Sequence, residues 1–204
     1  MRRLWLGLAI WLIVVSTGTA QTAPAQAVAT FAGGCFWCVE ADFDKVPGVI
    51  RTTSGYIGGK VASPGYAQVS AGSTGHTEAV EIAYDPSKTT YQQLLDVFWR
   101  NHDLFAANRQ FCDSGAQYRP GIFYHDEEQR QLAEGSKKGL QARFAQPIVT
   151  EITRASAFYA AEDYHQDYHL KNPVRYRFYR WNCGRDQRLE EIWGKSDKSN
   201  QKGS

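Results

Sequence analysis

Phe31-Ala32-Gly33-Gly34-Cys35-Phe36-Trp37-Cys38-Val39-Glu40 runs a small apolar strand, begun at Val28, through two glycines and straight into a thiol. Gly33-Gly34 permit a turn with backbone angles that a side chain would forbid. From Phe36 to Lys45 the apolar residues Phe36, Val39 and Phe43 recur at helical spacing, with Glu40 and Asp42 in the early turns, where a helix dipole favours acids. Cys35 therefore falls at or just before a helix N-terminus. Free backbone N–H groups there stabilise a thiolate, which predicts a lowered pKa and a nucleophilic sulfur. Cys38 follows one turn later on the same face, within reach of an oxidised Cys35. A buried pair of small hydrophobes, or half of a zinc knuckle, is the blander reading of the same stretch.

Toward the N-terminus, Met1-Arg2-Arg3, the apolar run Leu4 to Val15 and the small residues Ser16 to Ala20 have the three parts of a secretory signal peptide. The apolar run is too short to span a bilayer. This predicts a leader at 1–20, a flexible spacer at 21–26, one domain at 27–194 and a disordered tail at 195–204. Export, most simply to a periplasm, is expected, with an uncleaved anchor as the rival reading. With 23 basic and 21 acidic residues the net charge is +2. No basic stretch is interleaved with aromatics as a nucleic-acid groove requires, so no nucleic-acid partner is expected. Four cysteines in an exported chain would by default form two structural disulfides. The Cys35/Cys38 pair argues for one working dithiol and leaves Cys112 and Cys183 to be explained.

Toward the C-terminus, Val49 to Tyr56 reads as a strand, and Gly55, Gly58, Gly59 and Gly65 mark a long loop leading to Tyr66. In Thr77 to Tyr84, alternation places Glu78, Val80, Ile82 and Tyr84 on one face, with Glu81 on the other as a solvated charge. A carboxyl on an apolar face is hard to ionise, so Glu78 should hold a proton at neutral pH and can act as a general acid. His76 reads as a loop histidine bonded to backbone, and His102-Asp103 as a helix-end cap. Thr89 or Thr90 caps a helix from Tyr91 to about Asn101, whose apolar stripe is core.

Asn108 to Pro120 is a polar loop holding Cys112, Asp113, Gln117 and Tyr118, more hydrogen-bonding capacity than a connection needs. Then come a strand at Ile122 to Tyr124, a helix from Asp126 toward Phe144, a strand at Ile148 to Thr153 and a short helix at Glu162 to Leu170. The basic, aromatic segment Arg175 to Arg185 fits an anion or membrane surface but reads more simply as an arm packed over the core, and Leu189, Ile192 and Trp193 dock a last helix. Taken together, a reactive thiol, Phe36 and Trp37 beside it, a protonated Glu78 and the phenols Tyr66 and Tyr118 suit thiolate attack on a centre whose departing oxygen must be protonated.

Gly34-Cys35-Phe36-Trp37, Gly75-His76-Thr77-Glu78-Ala79, Gln117-Tyr118-Arg119 and Ala161-Glu162-Asp163-Tyr164-His165-Gln166 resemble, in order, the signature segments of the class A peptide methionine sulfoxide reductases. The resemblance covers Ala27 to Trp193. It implies a ferredoxin-like α+β domain, a mixed sheet with packed helices, acting on the S epimer of methionine sulfoxide, free or in proteins. It implies Cys35 as nucleophile, Glu78 as proton donor to the sulfoxide oxygen, Tyr66 and Tyr118 as its hydrogen-bond donors, Asp113 ordering the site, and Phe36 and Trp37 holding the substrate methyl. A thioredoxin-like dithiol would regenerate a monomeric enzyme with no metal or organic cofactor and no stable membrane association once the leader is removed. Many members of that family carry glycine where Cys38 stands and resolve with a cysteine of the C-terminal arm. Here Cys38 is the preferred resolving residue because it is local, and Cys183 is the alternative. If Cys38 resolves, Cys112 and Cys183 are left to pair. The rival readings are a thioredoxin-like dithiol-disulfide oxidoreductase, which would not need Glu78 or the tyrosines, and a zinc-stabilised binding module, for which only one short Cys-x-x-Cys pair is present.

Overall fold

A computed structural model describes residues 26–194. The leader, nearly all of the spacer and the tail read from the sequence lie outside the described residues. Ala27–Ala32 (β1) pairs antiparallel with Thr77–Tyr84 (β3) on one side and Gly121–Tyr124 (β6) on the other. Val49–Ile57 (β2) continues beyond β3, and Tyr159–Ala160 (β8) beyond β2, both antiparallel. Glu151–Arg154 (β7) lies beside β6 in parallel, which makes the sheet mixed, in the order β7-β6-β1-β3-β2-β8. Arg109–Gln110 (β4) and Asp113–Ser114 (β5) form a separate small hairpin.

The helices are Phe36–Phe43 (α1), Tyr66–Ser70 (α2), Tyr91–Arg100 (α3), Glu127–Gln141 (α4), Tyr168–Lys171 (α5), Pro173–Asn182 (α6) and Arg185–Trp193 (α7). This is an α+β domain. α3 begins with a reciprocal cap: the Gln93 amide donates to Thr90 Oγ1 at 3.2 Å and the Thr90 amide to Gln93 Oε1 at 2.8 Å. Its Leu94, Leu95 and Phe98 join Phe36, Val39 and Phe43 of α1 against Phe31, Val80 and Ile82 of the sheet. Phe31 stacks on both Phe43 and Phe98, with ring centroids 5.3 and 4.9 Å apart. The rings thus lock β1, α1 and α3 together beneath Cys35.

β3 places Glu78, Val80, Ile82 and Tyr84 on the helix-covered face, as alternation requires. Its other face is also covered: Ala79 packs with Ala32, Ile57 and Phe123 under Ala155 and Phe158. Glu81 is accordingly half-buried rather than a solvated charge. β7 starts at Glu151, not at the expected Ile148, because Ile148 and Val149 give their amides to Gln141 and Leu104. Residues 162–167 turn rather than form the expected helix, since Glu162 and Gln166 are drawn into long-range bonds with Tyr56, Tyr66 and Ser54. Glu40 and Asp42 lie outside the first turn of α1 and are buried, so the helix dipole does not explain them. Asp42 instead accepts from Arg180 Nη1 at 3.0 Å and ties α1 to α6.

Candidate active site

Cys35 occupies the N-cap of α1 with non-helical angles (φ −49°, ψ 117°), and its carbonyl accepts the Cys38 amide at 3.0 Å. Gly34 before it has φ +87°, and a Cβ there would lie 2.4 Å from Cβ of Gln110. Gln110 cannot give way easily, because its amide makes two bonds to the Asp103 backbone at 2.8 and 2.9 Å. The turn is therefore closed to any side chain.

Both thiols are free and buried, with Cys35 only 6 % exposed. Burial holds the Cys35 thiol well above its usual value; its hydrogen bond with Cys38 and the Cys38 and Glu78 charges push the same way, and the Tyr179 phenol opposes them. Cys38 moves down to about 7 through its hydrogen bond with Cys35, against its own burial, with Arg185 and Arg180 helping. This corrects the expectation of a low-pKa Cys35. Desolvation outweighs the helix N-terminus.

Glu78 enters from β3, 2 % exposed, and its Oε2 accepts the Phe36 amide at 3.0 Å. That bond docks the carboxyl at the start of α1, next to the thiol. Burial pushes Glu78 up to about 8 in spite of the Phe36 bond, with Asp113 and Cys38 adding to the rise. It is thus protonated at neutral pH, as its place on an apolar face predicts. Tyr66 opens α2, with its amide bonded to Glu162 Oε1 at 2.8 Å, and burial together with the Glu78 and Cys35 charges pushes its phenol up to about 12. Tyr118, closing the short 3₁₀ turn Ala116–Tyr118, is raised by burial and by Glu78 and Asp113. Both phenols are neutral donors and feel the same three groups, Glu78, Cys35 and Asp113. Asp113, at the β4–β5 hairpin, accepts a hydrogen bond from Tyr179 and is raised by its burial. The structure therefore brings Tyr66, Tyr118 and Asp113 within electrostatic reach of Glu78, which sits at the start of the helix that carries Cys35 and Cys38.

Phe36 is buried against Tyr56 and His165, with centroids 5.9 and 4.9 Å away. Trp37 is half-buried. Its indole N–H donates to His165 Nδ1 at 3.0 Å, one of its faces stacks on Tyr168 at 3.7 Å, and Tyr179 meets it edge-on. Burial lowers the His165 pKa and keeps the ring neutral, so Nδ1 is free to accept. Sequence reading missed Tyr179, His165 and Tyr168 as site residues. The signal available was the repeated tyrosines of the basic arm, whose partners lie far away in the chain. His76 bonds backbone at Gly59 and Val61, and His102 bonds Phe98 and Thr150, both in structural roles.

Cys183, at the C-cap of α6, is joined to Cys112 by a disulfide with Cα atoms 4.8 Å apart. Among the described residues Cys112, Asp113 and Cys183 form a cluster of metal-ligand types, but the two sulfurs are committed to each other.

The sequence profile of the family described as Peptide methionine sulfoxide reductase matches residues 27–197. The chain belongs to that family. The reductase is 50 % identical over 167 residues to the peptide methionine sulfoxide reductase MsrA of Listeria innocua, covering 81 % of this chain and 94 % of the relative. Its fold is similar to methionine sulfoxide reductase A of Corynebacterium diphtheriae, with a TM-score of 0.68 and 35 % identity over 77 % of this chain and 80 % of the other. Reduced Mxr1 of Saccharomyces cerevisiae gives a TM-score of 0.70 at 32 % identity, over 78 % and 92 % of the two chains. The reductase is a sulfur oxidoreductase that reduces methionine sulfoxide, and both free thiols among the described residues lie in the cluster that holds Glu78.

Proposed function

We propose that Cys35 attacks the sulfur of methionine-S-sulfoxide, free or in proteins, while Glu78 gives its proton to the sulfoxide oxygen. The observation that carries this reading is the neutral, buried Glu78 carboxyl bonded to the amide that follows Cys35. Tyr66 and Tyr118 donate hydrogen bonds to the same oxygen, Phe36 and Trp37 form the apolar wall for the substrate methyl, and Asp113 orders the site through Tyr179. The attacking thiol loses its proton to the Cys38 thiolate, its hydrogen-bond partner. The protonated oxygen passes from the substrate sulfur to the Cys35 sulfur as the bond between the two sulfurs breaks, so methionine departs with its sulfur reduced and Cys35 is left as a sulfenic acid. Cys38 then attacks the Cys35 sulfur, water leaves, and a Cys35–Cys38 disulfide forms. A thioredoxin-like dithiol reduces that disulfide, and the cycle needs no metal or organic cofactor.

The burial of both free thiols three residues apart at the start of α1 and the engagement of Cys183 with Cys112 support Cys38 over Cys183 as the resolving residue. A disulfide between Cys112 and Cys183 also suits an oxidising compartment, which supports export through a leader at 1–20. We take the working unit to be a monomer.

Turnover of separate S and R epimers with a dithiol donor tests the reading. S-selective turnover abolished in Cys35→Ser, and arrested after one cycle in Cys38→Ser, is the expected result. The same arrest in Cys183→Ser alone would move resolution to the arm.

A further inference from the structure

Val174, Phe178 and Trp181 stand four and three residues apart on α6 and so share one side of it. That side faces away from the protein: the three are 70, 63 and 74 % exposed, and Leu170, 67 % exposed, precedes them in the chain. The opposite side carries buried Tyr176, which packs on Cys38 and Ala41 of α1. A surface helix covers one apolar face; this one is apolar front and back. The Phe178 and Trp181 rings are 6.0 Å apart and form one surface rather than two scattered exposures.

Two unpaired cations flank this stripe. At about 100° of turn per residue, Arg175 and Arg177 flank Val174 on opposite sides, and both are exposed. Among the described residues neither forms an ion pair; Arg177 Nε bonds only the Pro173 carbonyl of its own helix, at 3.3 Å. Lys171 is also exposed but pairs with Asp167 at 4.0 Å, and residues 168–182 contain no carboxylate.

We propose that the outer face of α6 docks on a bilayer carrying anionic lipid, with Val174, Phe178 and Trp181 entering the acyl boundary and Arg175 and Arg177 on the headgroups. An apolar ridge flanked by cations on both sides matches the plane of an anionic membrane interface. A second copy is a poorer occupant, because pairing the stripe with itself would bring the unpaired arginines of both copies together. This surface lies opposite the side that reaches Cys35, and the proposal stands apart from the catalytic assignment.

The test uses the full chain with vesicles of phosphatidylcholine brominated on its acyl chains, with or without phosphatidylglycerol. Tryptophan quenching is compared in wild type, Trp181→Phe and the double variant Arg175→Glu/Arg177→Glu. Trp5 and Trp11 of the apolar leader are common to all three and cancel in the differences. Activity on free methionine sulfoxide checks that each variant is folded. The expected result is a quenching component that requires phosphatidylglycerol, disappears in Trp181→Phe, and needs at least roughly 25-fold more anionic lipid in the double variant, about 5-fold for each positive charge lost, with the repulsion of the two glutamates added. Equal quenching in wild type and Trp181→Phe would overturn the proposal. So would equal quenching with and without phosphatidylglycerol, or a concentration-dependent dimer abolished by Phe178→Ser in protein that ignores lipid.

Discussion

Glu78 has one amide donor and, among the described residues, no ion-pair partner, so the cost of burying its charge decides its protonation. It can give up a proton only below about 8, and activity should fall as pH rises through that value. Glu78→Gln should lower kcat/KM by about 10²- to 10⁴-fold and remove the alkaline limb of the pH profile. Stability carries the same sign. A carboxyl raised from 4.5 to about 8 contributes stability fully below 4.5 and loses it as pH rises through about 8. At 1.36 kcal/mol per pKa unit this is a loss of about 5 kcal/mol at most. Urea melts at pH 5 and pH 9 should show a distinctly smaller loss in Glu78→Gln. The phenol of Tyr179 is the one group drawing Cys35 downward, so Tyr179→Phe in a Cys38→Ser background should slow alkylation of Cys35 severalfold at fixed pH.

α1 shows what sequence can and cannot convey about an element. Its start was legible because the cause is local: two glycines, an apolar run of period near 3.6, and a thiol at the junction. Gly34→Ala should cost about 2–5 kcal/mol in a denaturation midpoint, since it adds a left-handed backbone penalty to a collision with Gln110. What covers α1 was not legible. Arg180 reaches Asp42 across 138 residues and Trp37 reaches His165 across 128, and no periodicity within either segment announces such a partner. The same gap explains the error over Cys35. Position at a helix start argues for a thiolate, but the arm that carries Tyr179 and buries the sulfur is known only once the chain is folded. Glu78 escaped this difficulty because alternation along β3 reports its face directly.

At the scale of the molecule, the Cys112–Cys183 bond closes a loop with a sequence separation of 71 and pins α6 beside the β4–β5 hairpin. Cutting it in Cys112→Ser should lower stability by about 4 kcal/mol by the chain-entropy estimate, as judged by thermal melting against oxidised wild type, and a reducing agent should narrow the difference. The core gives a second check. Phe31 lies fully buried between Phe43 and Phe98, so Phe31→Ala should cost about 3–5 kcal/mol and loosen the turn that presents Cys35. Sheet order was the least legible feature of the whole, because short edge strands such as Tyr159–Ala160 owe their existence to the neighbour they pair with.

The antiparallel register of β1 with β3, Phe31 opposite Val80, sets Glu78 two residues beyond a core position on the same face. β3 therefore behaves like a reading frame with a period of two. Deleting one residue between Glu78 and Val80 would swing the acid to the far side of the sheet and strand the thiol without a proton source, though nearly every side chain of the protein would still be present. Dropping one of the exposed residues Lys60 to Ser63 shifts no such frame. A map of single-residue deletions across this chain should thus be sharply uneven, silent across that loop and lethal to chemistry within a few residues of strand.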